Sequence, residues 1–236
     1  MDIEFFTCMT AKRSSYETII RLDMRNIRIY DIMRDVSGWW RKSGNLPDMS
    51  VPDIAKHPMY STWYSYHQDI AECKKAYELG MRAVIVDDGW QTDNSERGYA
   101  YCGDWKPAIK RIGDMKAFVD AVHSTGMKFI LWYSVPFVGK YSEAWNKFKG
   151  KFLDSADNDY CVLDPRYREV RDYLTGIYEN AVREWGIDGF KLDFIDSLRM
   201  TESSNEYNSE MDTEQLEDAI EKLLGDILKR LRAIKP

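Results

Sequence analysis

A chain of 236 residues that is 44% hydrophobic can bury a sizeable core, and its length suits one principal domain. The net charge of −6, with Lys and Arg scattered along the chain, argues against nucleic acid as the main partner, and no apolar run is long enough to span a membrane. Cys8, Cys73, Cys102 and Cys161 show no CxxC spacing and no neighbouring His, which excludes a dense disulfide framework and argues against a zinc site.

Residues 1 to about 55 read as an approach to a domain. Thr18–Tyr30 fits a strand pair or an irregular segment, Asp31–Arg41 a short helix ending in Trp39 and Trp40, and Ser43–Pro47 and Val51–Asp53 are turn chemistry. Met1–Phe6 lacks the basic and apolar segments of a signal peptide, so the chain as written is expected in the cytoplasm, and secreted or periplasmic only if more sequence precedes it.

From Pro58 the pattern becomes regular. Met59–Tyr66 is rich in strand-favouring aromatics. Gln68–Leu79 has helical periodicity and a stop at Gly80. Met81–Val86 predicts a strand ending abruptly in Asp87 and Asp88, and a polar loop with Gly98–Trp105 follows. Met115–Thr125 is the next helix, Lys128–Tyr133 the third strand, and a long connection then leads to Val162–Pro165. Pro165–Glu184 reads as a strong helix, the apolar run Phe190–Ile195 as the fourth strand, and Thr213–Ile234 as the last helix after the polar loop Arg199–Met211.

Strict alternation of four strands and helices predicts a parallel α/β sheet. No GxGxxG and no GxxxxGK[ST] is present, so nucleotide binding has no support and no cofactor is expected. The unusual residues of the second, third and fourth strands fall at the C-terminal ends, the active face of a TIM-type (β/α) barrel, of which four of eight units are counted. An open half-barrel leaves two strand edges unpaired, so self-association through them is expected.

The fourth strand carries the most informative pair. Buried strands rarely hold Lys191 and Asp193 two apart on one face unless both point into a site or form an ion pair. With Asp87 and Asp88 they suit glycoside hydrolysis, a divalent metal site, or a non-catalytic sugar-binding surface. The metal reading is the weaker, because Lys191 beside Asp193 repels a cation and the eight Trp and fifteen Tyr go unexplained, whereas flat sugar faces stack on aromatic rings.

Asp87-Asp88-Gly89-Trp90, Gly103-Asp104-Trp105 and Lys191-Leu192-Asp193, in this order, resemble the retaining α-galactosidases of the melibiase type. Supporting matches are Tyr60–Trp63, Leu131-Trp132 and Val162–Pro165. The resemblance covers about residues 36–236 and implies an α-galactoside oligosaccharide as substrate. It makes Asp193 the nucleophile, Lys191 a sugar ligand that keeps Asp193 ionised, and Asp87 and Asp88 acceptors for the 4- and 6-hydroxyls. Trp63 and Trp132 become the apolar walls of the pocket, Trp90 and Trp105 loop-shaping or core residues, and Asp104 a loop-orienting carboxylate. It further makes residues 1–55 the tail of a preceding β-sandwich domain and residues 56–236 the first half of the catalytic barrel. The family's general acid/base belongs to a later strand, in a Gly-Gly-x-Arg-x-Asp-like context that does not follow Asp193, and nothing marks Glu202, Glu206, Glu210 or Asp212 for that role. A fragment lacking the acid is therefore the expectation. The alternatives are a same-fold enzyme for α-N-acetylgalactosamine, a galactosyl transferase, or a non-catalytic galactose-binding module.

Overall fold

The computed structural model describes residues 15, 20–43, 51–62, 70–94, 96, 98–154 and 158–235. They fall into two compact units divided between Lys56 and His57. In the first, α1 (Ile29–Ser43) runs two residues beyond the expected helix at each end, and a 3-10 turn spans Asp53–Lys56. Residues 20–28 form neither helix nor strand, so of the two readings of Thr18–Tyr30 the irregular one holds there, while Ile29 and Tyr30 already belong to α1.

The second unit holds the sequence-predicted alternation. Its elements in chain order begin with β1 (Met59–Ser61), α2 (Ile70–Glu78), β2 (Ala83–Val86), α3 (Met115–Ser124) and β3 (Lys128–Ser134). There follow β4 (Phe137–Gly139), α4 (Glu143–Lys147), β5 (Tyr160–Val162), α5 (Arg168–Asn180), β6 (Gly189–Asp193) and α6 (Leu216–Ile234). The helices start and stop for local reasons. Asp114 caps α3 by accepting from the Ala117 N–H, Ser142 caps α4 through the Trp145 N–H, and α5 ends in a π-helical turn, Ala181–Trp185, closed by Gly186 in the left-handed region.

Four strands form one parallel sheet in the order β1-β2-β3-β6. Each new strand lies beside the previous one of the sheet, the order of a barrel wall rather than of a doubly wound sheet whose strand order reverses at its centre. The register pairs Trp132 with Lys191 and Ser134 with Asp193, so the C-terminal ends of β3 and β6 lie level. One face carries Val84, Val86, Phe129, Leu131 and Tyr133, all 6% exposed or less, and packs on the helices through contacts such as Phe118–Phe129 (5.3 Å) and Tyr133–Tyr178 (5.0 Å). On the other face, offset by one residue, Ile85, Ile130, Lys191 and Asp193 are half-buried.

The long connection after β3 is more structured than its sequence suggests. β4 and β5 form an antiparallel hairpin around α4. The hairpin lies against the 3-10 turn Gly98–Tyr101, where the Gly139 N–H donates to the Cys102 carbonyl at 2.7 Å and the Tyr141 N–H to that of Ala100 at 2.9 Å. A β-carbon at Gly139 would stand 2.2 Å from the Ala100 backbone, so this approach requires glycine. These three-residue strands, one preceded by Pro136 and ending in Gly139, are too short for a periodicity signal.

The polar loop after β6 is fastened by charged side chains, one pair of them fully buried. Arg166 and Asp164 pair at 2.7 Å with side chains 1% and 0% exposed, and Arg166 also donates to the Asn205 carbonyl at 2.8 Å. Arg171 holds Asp212 bidentately at 2.9 and 2.7 Å, and Lys151 pairs with Glu210 at 3.0 Å. At the opposite end of the sheet, the Asp188 carboxylate accepts from His123, Lys128, Lys235 and the Phe129 N–H at 2.6 to 3.1 Å, tying α3, β3 and the end of α6 to the entry of β6.

Candidate active site

β2 and β6 deliver the charged residues. β2 ends at Val86, and the chain turns at once through Asp87, Asp88 and Gly89, the last with a φ of 107°. The Asp88 N–H donates to Asp87 Oδ1 at 2.9 Å, and buried Gln91 holds the turn from within: its amide donates to Asp88 Oδ1 at 2.8 Å and accepts from the Gly89 N–H at 3.1 Å. Arg111 adds a bond to the Gly89 carbonyl at 3.0 Å. Both carboxylates therefore line one pocket from a bend rather than alternating along an extended strand.

On β6, Lys191 and Asp193 share the pocket-facing side, as their spacing predicts. Lys191 Nζ reaches Asp87 Oδ2 at 2.7 Å and Asp193 Oδ2 at 3.4 Å. Asp193 Oδ2 also accepts from the Trp132 indole N–H at 2.9 Å, and Oδ1 from the Phe194 N–H at 3.1 Å. Burial pushes the Asp193 carboxyl upward, but Trp132, the Phe194 N–H and Lys191 together outweigh it and hold the group below the usual carboxylate range. Burial likewise opposes the Lys191 ammonium, and Asp87 and Asp193 overcome it, raising its pKa. The result is an ionised, oriented carboxylate with a fixed cation beside it.

These groups open into a pocket of about 350 Å³ lined by Asp87, Asp88, Tyr99, Trp132, Lys191, Asp193 and Phe194. Five of the six site residues expected from the sequence are thus brought together; Trp63 lies outside the described residues. Trp132 lines the pocket but is only 1% exposed, and its visible act is the indole bond to Asp193. Trp90 and Trp105 are 2% and 4% exposed and belong to the core, where Trp90 donates to the Trp132 carbonyl at 2.8 Å and steadies the end of β3. Asp104 orients a loop, accepting from the Glu143 and Ala144 N–H groups at the start of α4. Asp196 is exposed, and neither it nor Glu202, Glu206, Glu210 or Asp212 lines the pocket. Among the described residues no group of three or more His, Cys, Asp and Glu is arranged to hold a metal ion.

Sequence reasoning passed over Gln91, Tyr99 and Phe194. Gln91 directly follows the Asp87–Trp90 motif and Phe194 directly follows Asp193, so position alone marked them. Tyr99 sits in an aromatic loop where pocket and core residues look alike.

Residues 59–234 match the family described as Melibiase. The chain belongs to the Melibiase family. Among curated members similar to it are Alpha-galactosidase Mel36A of Lactobacillus acidophilus, 28% identical over 187 residues, and the Bifunctional alpha-galactosidase/sucrose kinase AgaSK of Mediterraneibacter gnavus, 31% identical over 137 residues. The first alignment covers 72% of this chain and 24% of the relative, the second 53% and 14%, so this Melibiase chain spans a quarter or less of their length. The crystal structure of the α-galactosidase AgaA from Geobacillus stearothermophilus in complex with raffinose superposes with a TM-score of 0.61 at 22% identity, covering 74% of this chain and 26% of that one. The likeness shows that this part of the fold is shared.

Proposed function

We propose that the chain carries the sugar-binding and nucleophilic part of an α-galactosidase site and acts on terminal α-linked galactose of oligosaccharides by a retaining double displacement. The observation that carries this reading is the Asp193 carboxylate, kept ionised by Trp132, the Phe194 N–H and Lys191 at an open pocket whose other wall holds Asp87 and Asp88. An Asp193 oxygen attacks the anomeric carbon as the bond to the leaving oxygen breaks, giving a galactosyl ester; water then cleaves the ester and frees Asp193. Asp87 and Asp88 accept from the 4- and 6-hydroxyls, and Lys191 donates to the sugar while its charge stabilises the ionised nucleophile. The relatives' names and the raffinose-bound AgaA structure support an α-galactoside as substrate, and the sheet order supports the first half of a (β/α)₈ barrel.

Retention also requires a protonated carboxyl about 5 Å from the nucleophile. The described lining brings no further carboxylate opposite Asp193, which favours a second reading, galactose binding without turnover of ordinary substrates.

Titration calorimetry with galactose and glucose tests the sugar assignment. Galactose binds and glucose, with an equatorial 4-hydroxyl, binds at least about tenfold more weakly, because one charged hydrogen bond is lost. The double variant Asp87→Asn, Asp88→Asn removes most of that preference. Equal affinity for the two sugars contradicts the proposal.

A further inference from the structure

We propose that Phe194 and Tyr99 form the stacking platform for the sugar ring, and that Phe194 holds its unusual backbone conformation because that conformation aims its ring into the pocket. The inference rests on the sugar-pocket reading and adds the specificity wall that Trp132, at 1% exposure, has no free face to provide. Tyr99 and Phe194 are both half-buried, both line the pocket, and meet at 5.3 Å with their planes at 66°. A rigid second layer backs them. Phe137, 3% exposed, stacks on Phe194 at 4.8 Å and 26°, and Trp132 stacks on Tyr99 at 6.3 Å and 26°.

The backbone supplies an independent observation. Phe194 has φ 58° and ψ 27°, the left-handed region that side chains with a β-carbon disfavour and that Gly or Asn would enter at less cost. It is the residue directly after β6, and its N–H bonds the Asp193 carboxylate. One turn therefore orients the nucleophile and places an aromatic ring at the same pocket. The ligand chemistry follows from the shape of the sugar. With the 4-hydroxyl axial, the C–H groups of C3, C4 and C5 lie on one face of galactose and form an apolar patch that seats on an aromatic ring, while Asp87 and Asp88 take the hydroxyls.

Phe194→Gly in the full chain separates a binding role from a packing role, since glycine suits the left-handed backbone and keeps the N–H to Asp193. Galactose is titrated by NMR, following its C3, C4 and C5 protons, with thermal unfolding recorded alongside. The wild-type chain shifts these protons upfield through the ring current. Phe194→Gly loses the shift and binds about tenfold more weakly while still unfolding cooperatively, and Phe194→Tyr restores both. If Phe194→Gly does not fold, Phe194→Leu and Tyr99→Leu keep apolar bulk without the ring and give the same two readouts. Wild-type binding with full shift and affinity within about twofold in the ring-less variants overturns this inference and leaves the sugar pocket standing. Absence of galactose binding by the wild-type chain overturns both.

Discussion

Lys191→Met slows galactosyl transfer to Asp193 by about 10² to 10³ and moves the acid limb of its pH profile upward. The size follows from removing a fixed charge next to the reacting group, in a site where the cation is already in place before charge develops. Lys191 bridges Asp87 at 2.7 Å and Asp193 at 3.4 Å, so its loss affects both walls of the pocket. The direction of the pH effect follows from Asp193. Burial works to raise its pKa, and Trp132, the Phe194 N–H and Lys191 hold it below the ordinary carboxylate value. Without Lys191 one of the opposing contributions disappears, the pKa rises, and a higher pH is needed to ionise Asp193. The rate of adduct formation with α-galactosyl fluoride, measured against pH, reads both effects. The stability contribution of Lys191 has the opposite pH sign: its raised pKa stabilises the fold at neutral pH and is lost only as pH climbs through the folded value. An unchanged rate and limb in Lys191→Met would remove Lys191 from the site.

Asp188→Ala lowers stability by about 2 to 4 kcal/mol without altering the pocket, because charged hydrogen bonds are worth about 1.5 to 3 kcal/mol each and the Phe129 N–H loses its acceptor. Asp188 lies at the N-terminal end of β6, away from the pocket, and its side chain is 9% exposed. Burial alone would raise its pKa, but Lys235, the Phe129 N–H, His123 and Lys128 more than compensate and depress it strongly. A carboxyl depressed on folding stabilises the folded state above its unfolded pKa of about 4, and that contribution fades as pH falls through the folded value. Denaturant unfolding at pH 7 and at progressively lower pH therefore shows the difference between wild type and Asp188→Ala shrinking with acid. Asp188→Asn, which still accepts from Phe129, costs less. A pH-independent difference would mean that lost packing rather than charge accounts for the destabilisation.

The alternation that places the site was legible because buried parallel strands leave apolar runs and the helices carry a one-sided stripe. β3 was expected over Lys128–Tyr133 and spans Lys128–Ser134, and β6 starts one residue earlier and ends two residues earlier than its apolar run, since Gly189 enters the ladder while Phe194 turns out of it. Asp87, Asp88, Lys191 and Asp193 were readable because charge at the end of an apolar strand needs an explanation. What was not legible depends on contacts between distant segments. The β4–β5 hairpin has strands of three residues whose reason for existing is the close approach of Gly139 to Ala100. The family resemblance made Trp132 a pocket wall; it does line the pocket, and only the folded chain shows that it is 1% exposed with its N–H bonded to Asp193. The left-handed turn at Phe194 was not legible for a related reason, since position marked the residue but nothing in the sequence marked its backbone conformation.

The central claim is that Asp193 is a nucleophile toward an α-galactosyl donor. Intact-protein mass after incubation with α-galactosyl fluoride tests it most directly, because fluoride departs with little help from a general acid and the experiment depends only on groups this chain contains. The expected result is a single galactosyl adduct on the wild-type chain and none on Asp193→Asn, with galactose binding kept in the variant. A folded, galactose-binding wild-type chain that forms no adduct, or an adduct that persists in Asp193→Asn, would contradict it.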